Sequence, residues 1–167
     1  MTIAPAIERG DTTHDDLDRQ QENLVNVFQY LIGNTDYSLI KGPEGNCCHN
    51  ARLMSATDGP PYTVVPYDFD FAGIVNAPYA TTDPEFRLRS VRQRLYRGLC
   101  KNNDLLPGTL KLFTEKKEAI YGILDEIEFL SSRTRADVTA YLDGFYKSIS
   151  SPKLVRIRLT DACSGSS

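Results

Sequence analysis

The sequence predicts an α+β fold, mostly helical, built round one small β-hairpin. Three observations carry this. Apolar residues recur at helical spacing over residues 20–32, 107–130 and 133–149. One pair of short segments rich in strand formers, 51–55 and 62–67, flanks the turn Asp58-Gly59-Pro60-Pro61. Strands and helices do not alternate as a Rossmann-like fold requires.

The elements follow in order. Residues 1–18 are polar and aperiodic and read as a flexible N-terminal arm. Leu24, Val27, Phe28, Leu31 and Ile32 then form the stripe of an amphipathic helix, which Gly33-Asn34 stops. Residues 33–50 form a long loop broken by Gly33, Gly42, Pro43 and Gly45. A loop of that length in a compact domain is usually functional or disordered. The hairpin comes next, with Pro66 marking an edge or a strand end. A polar stretch, residues 76–84, leads to a stripe of Leu88, Val91, Leu95 and Leu99 that predicts a helix. A long helix is predicted over 107–130, with Pro107 in its first turn, and another over 133–149. Residues 153–159 alternate and predict a terminal strand, with a short helix after Ser151-Pro152 as the alternative. The domain is therefore expected to be single, over 19–161, with a flexible tail at 162–167.

Composition narrows the function. The chain has 167 residues, 41% hydrophobic and 25% charged, enough to bury a core. That is one ordinary domain or one lobe of a larger fold. Its net charge of −3 disfavours nucleic-acid binding, which needs a basic surplus. No apolar run approaches the roughly 20 residues of a membrane span. The first residues do not read as a signal peptide, which predicts a cytoplasmic chain, or an extracytoplasmic one if a longer parent carries the signal.

Cys47, Cys48, Cys100 and Cys163 show no zinc-site spacing. Buried thiols are the first reading. Disulfides from Cys47 or Cys48 to Cys100 or Cys163 are the second, and they would imply an oxidising compartment.

The polar residues gather at one corner of the hairpin. Asp36 follows the first helix, His49-Asn50 precedes the first strand, and Asp68-Phe69-Asp70 follows the second. A hairpin sets the start of its first strand beside the end of its second, so Asn50 and Asp68 should be neighbours. Oxygen donors such as these suit a hard cation held against phosphate. Asp36 can orient or deprotonate a hydroxyl. Each also has an ordinary role: Asp36 as a turn or cap, His49 as a structural hydrogen-bonding residue, Asn50 as a turn residue.

The segments around Asn34-Thr35-Asp36, His49-Asn50 and Pro66-Tyr67-Asp68-Phe69-Asp70 resemble the catalytic region of the spore-coat CotH-type, kinase-like family. The likeness covers residues 24–75. It implies a kinase-like C-lobe whose hairpin carries the acidic site. It also implies phosphoryl transfer from ATP to a protein hydroxyl, with magnesium or manganese as cofactor. By that resemblance Asp36 is the base, Asn50 and Asp68 are metal ligands, and Asp70 is an auxiliary ligand.

The sequence departs from that pattern. Protein kinases carry a Gly-rich loop and a strand Lys in a second lobe, and nothing before Leu24 matches either. Gly42-Pro43-Glu44-Gly45 lies downstream in the long loop, and Lys41 is the only lysine before Lys101. A missing N-lobe or partner chain is one account of this. A non-catalytic, pseudokinase-like binding or scaffold module is another. Asp36 and Asn50 are fourteen residues apart, where the kinase catalytic loop uses roughly five. A third reading is a different Asp-x-Asp metal enzyme, which would need a parallel sheet. The five arginines between 87 and 97 read as a solvated or carboxylate-paired helix face. In a functional version, Arg94 or Arg97 would face the acidic corner.

Overall fold

A computed structural model describes residues 2–3, 12–42, 47–57 and 59–165. The fold is α+β and mostly helical, as the periodicities predict. The chain divides into two compact units, residues 1–95 and 96–167.

The first unit holds the hairpin. Helix α1 spans Arg19–Ile32, strand β2 spans Ala51–Ser55 and strand β3 spans Thr63–Pro66. A two-residue strand β1, Thr2–Ile3, pairs antiparallel with β2 and completes a sheet of order β1-β2-β3. β2 and β3 pair antiparallel, Ala51 opposite Pro66 and Leu53 opposite Val64. Alternation sends Ala51, Leu53 and Val64 inward, where they pack with Leu17, Val25, Tyr37 and Leu39. Arg52 and Val65 point out to solvent. A parallel sheet, which the third reading needs, is not what carries Asp68: it follows an antiparallel strand.

α1 starts and stops where its residues dictate. The Asp18 carboxylate accepts from the Gln21 N–H at 2.7 Å, satisfying a donor that the helix leaves open. Gly33 closes the helix in the left-handed conformation, φ 66°. The amphipathic stripe is too narrow a description, however. Glu22, Asn23, Asn26 and Gln29 on the polar face are buried as well. Asn26 accepts from the Tyr37 hydroxyl at 2.7 Å, and the fully buried Glu22 meets His14 at 2.5 Å. That second pairing explains a further difference. Most of the arm's first eleven residues lie outside the described residues, but residues 12–18 are tied down. Leu17 sits in the core, and Asp16 and Asp18 exchange backbone hydrogen bonds with Tyr62. A polar composition conceals such a segment, because its side chains serve buried polar partners.

The stripe at 88–99 does not form a helix. A single 3₁₀ turn, Pro84–Phe86, ends at Arg87 with φ 50°, and irregular chain follows to Leu99.

The second unit is helical. α2 spans Leu106–Glu115, α3 Lys117–Glu126, α4 Ser132–Ser148 and α5 Pro152–Val155. Pro107 lies in the first turn of α2 as its fixed φ favours. The long helix expected over 107–130 breaks at Lys116, whose ψ of 4° leaves the helical range. α2 buries Leu106, Leu110 and Phe113, while α3 buries no side chain, and Phe129 beyond it is 96% exposed. Phe113 meets Phe145 of α4 edge to face at 5.8 Å. The alternating segment 153–159 is not a strand: α5 passes into a π-helical turn, Arg156–Thr160, that buries Leu159.

The cysteines pair in neither expected way. Cys47 joins Cys48, and Cys100 joins Cys163. The second pairing follows from a bridge between Leu99 and Ser164, in which Cys100 donates to Ser164 at 3.0 Å and Ser164 to Gly98 at 2.8 Å. The described part of the expected flexible tail, through Gly165, is thus anchored; residues 166 and 167 lie outside the described residues.

α3 and α4 meet through polar and aromatic contacts. The Tyr121 hydroxyl donates to Asp143 at 2.6 Å, and the Tyr121 and Tyr146 rings flank the Lys117 ammonium at 5.6 and 5.0 Å. Burial, then the Asp143 hydrogen bond, pushes the Tyr121 phenol above its usual value. Burial also raises Tyr146, with Glu118 adding to it. A raised phenol favours the folded state below the ordinary tyrosine range. That stabilisation is lost as pH rises through the folded value. Ultraviolet titration of the native protein should show a late-ionising tyrosine class, and Tyr121→Phe should remove one member of it. If Tyr121→Phe leaves the late class at full amplitude, the Asp143 contact does not form.

Candidate functional site

The end of α1, the start of β2 and the end of β3 converge at one corner of the hairpin. The loop after α1 folds back at once. Asn34 accepts the Asp36 N–H on its side-chain oxygen at 2.9 Å, a local turn suited to Asn. Further along, Ser38 and His49 exchange backbone hydrogen bonds at 2.9 and 3.0 Å. This bridge closes the loop, so Asp36 comes to face His49 and Asn50 despite the long separation in sequence. Pro43, Glu44 and Gly45 of the expected breaker run lie outside the described residues.

Asp36 is held on three atoms. His49 Nε2 lies 2.8 Å from its Oδ1. The Asn50 amide donates to its Oδ2 at 3.0 Å and to its main-chain oxygen at 2.8 Å. Both ring and carboxylate remain about one-third exposed, at 34% and 38%, so the cluster sits at the surface.

Asn50 and Asp68 bracket the hairpin in the same unusual conformation. Asn50 has φ 52° and Asp68 φ 58°. Few side chains tolerate this left-handed region, and Asn and Asp are the common exceptions. The Tyr67 N–H donates to the Asn50 oxygen at 3.0 Å, which sets Asp68 one residue past the partner of Asn50.

The chain beyond Asp68 is stitched to the end of α1. Gly73 donates to Gly33 and Ile74 to Ile32, each at 3.0 Å, and the Phe69 ring meets Phe28 edge to face at 5.6 Å. The arginines reinforce this seam. Arg94 donates to the Tyr30 oxygen at 3.0 Å and to the Leu31 oxygen at 3.1 Å, and Arg92 reaches the Gly73 oxygen at 3.4 Å. Arg94 therefore meets the open carbonyls of a helix C-terminus, where a cation is favoured.

Asp70 has a partner that no sequence pattern indicates. The Tyr79 hydroxyl hydrogen-bonds Asp70. That bond first, then the charges of Asp70 and Asp68, pushes the phenol above its usual value. The Tyr79 ring also leans on Phe71 at 6.1 Å.

No protein-family model, curated protein or solved structure matches this chain.

The chemistry of the corner rests on its own residues. They fall into two groups: Asp36 with His49 and Asn50, and Asp68 and Asp70 with Tyr79. No hydrogen bond or ion pair joins the groups among the described residues. Among those residues, too, no three His, Cys, Asp or Glu side chains form a metal-ligating cluster. The donor set nonetheless suits magnesium. That ion takes hard oxygens, commonly only one or two from protein, with phosphate and water supplying the rest. Asn50 spends its amide nitrogen on Asp36, and its side-chain carbonyl oxygen is the end that could accept a cation. Sequence reasoning gave His49 only a structural hydrogen-bonding role and gave Tyr79 none. His49 was visible as the neighbour of Asn50, whereas Tyr79 carried no signal.

Proposed function

We propose that this chain is a kinase-like phosphotransferase C-lobe that supports metal-dependent phosphoryl transfer from ATP to a protein hydroxyl. The observation that carries the reading is the Asn50 amide, bonded at once to the main chain and the carboxylate of Asp36. It joins a candidate base to a candidate metal ligand across a sequence gap that would otherwise count against the pair. Asp36 orients the attacking hydroxyl and accepts its proton. Asn50 and Asp68 hold magnesium or manganese, with Asp70 auxiliary. The cation neutralises charge on the phosphates. Transfer also needs a Gly-rich loop and a strand Lys, which a second lobe in a longer chain or a partner would supply.

Manganese titration followed by electron paramagnetic resonance tests the metal step without needing that lobe. The wild-type chain should bind one Mn2+. Asp68→Asn and Asn50→Ala should each weaken binding by about 10- to 100-fold or more, the range already seen for residues behind a ligand. A folded chain that binds no Mn2+ would sink the phosphotransferase reading and leave the non-catalytic binding module.

A further inference from the structure

We infer that His49 is the positioning residue of Asp36, a role that rests on the phosphotransferase reading above. An ionised carboxylate only accepts hydrogen bonds, so the 2.8 Å contact to Oδ1 requires the proton on His49 Nε2. The same assignment settles a second contact. The Asn50 amide nitrogen lies 3.5 Å from His49 Nε2, and two donors at that distance make no bond. The Asn50 amide is thus committed to Asp36 alone.

The rest of His49 is arranged for this contact. Its backbone N–H and carbonyl are both bonded to Ser38, which fixes where the side chain starts. The ring is about one-third exposed, so it is not a core-filling group. With His49 on Oδ1 and Asn50 on Oδ2, the carboxylate is held in one rotamer from both sides. A base held this way meets its hydroxyl without a search over side-chain conformations, and a misplacement of about 1 Å can cost roughly a hundredfold in rate.

Two measurements test this. The first needs no activity: long-range 1H–15N NMR of the imidazole. The wild-type ring should be the Nε2–H tautomer, and Asp36→Asn should shift its nitrogen signals. A ring that is the Nδ1–H tautomer, or that ignores Asp36→Asn, overturns the proposal. The second is kinetic, on the protein with its nucleotide lobe. His49→Ala should lower kcat by about 10- to 100-fold, with Mn2+ affinity and the KM for ATP unchanged. His49→Gln, whose amide can still donate to Asp36, should recover most of the loss. An unchanged kcat in His49→Ala, or a His49→Gln no better than His49→Ala, also overturns it. Failure of the broader reading looks different: there, the wild-type chain binds no Mn2+.

Discussion

Replacing Cys100 and Cys163 together by Ser should destabilise the second unit by about 4 kcal/mol. The pair closes a loop of 63 residues, nearly the whole unit. Cross-linking so long a loop removes chain entropy from the unfolded state, worth about 4 kcal/mol at this length in the entropic account. A single core of this size supplies only about 3–5 kcal/mol. The cross-link is therefore comparable to everything else holding the unit together. Its packing agrees: α3 buries no side chain, and Ile123 and Phe129 lie exposed. Urea unfolding under non-reducing conditions, followed by circular dichroism, gives the measurement. The double Ser variant, unlike added reductant, leaves Cys47–Cys48 untouched. A variant that unfolds at the wild-type midpoint would mean that Cys100 and Cys163 are not joined.

The seam between the end of α1 and residues 73–74 makes a smaller prediction. Arg94→Ala removes the donor to two helix-end carbonyls. Hydrogen bonds to charged groups contribute about 1.5–3 kcal/mol, and the first unit should lose stability in that range. Arg94→Lys should recover only part of it, since an ammonium lacks the planar fork that spans both oxygens. An Arg94→Ala variant as stable as the wild type would show that the seam holds through its backbone bonds alone.

What was legible in the sequence depended on which physical signal each element carries. The hairpin was legible because Tyr62–Tyr67 is rich in strand formers and a turn precedes it. α1 was legible because Gly33 marks its end. The break at Lys116 was not, since no glycine or proline stands there and apolar spacing runs on through it. The stripe at 88–99 misled because its arginines serve carbonyls elsewhere in the fold, a use that periodicity cannot express. Alternation at 153–159 left strand and short helix both open, and the helix after Ser151-Pro152 is the one that forms, passing into a π-helical turn that buries a single leucine from the same pattern. At the candidate site, residue types and order pointed to Asp36, Asn50, Asp68 and Asp70. The long loop hid how Asp36 meets Asn50, because the Ser38–His49 bridge that closes it is made of backbone atoms.

Asp36→Asn should separate binding from chemistry. The substitution keeps the size of the side chain and an oxygen that can accept from His49 or Asn50. It removes the charge and the capacity to take a proton. Loss of a positioned general base costs about 100- to 10,000-fold in rate. The γ-phosphoryl transfer rate should fall by that factor in protein joined to its nucleotide lobe. Mn2+ affinity should stay at the wild-type level, because in this reading the cation rests on Asn50 and Asp68. Asp68→Asn should do the reverse, losing the metal first and transfer as a consequence. The contrast matters more than either number. Equal losses of Mn2+ affinity in both variants would make Asp36 a metal ligand and leave the site without a base. An Asp36→Asn protein that transfers phosphate at the wild-type rate would reduce Asp36 to the turn residue that its neighbour Asn34 also supports.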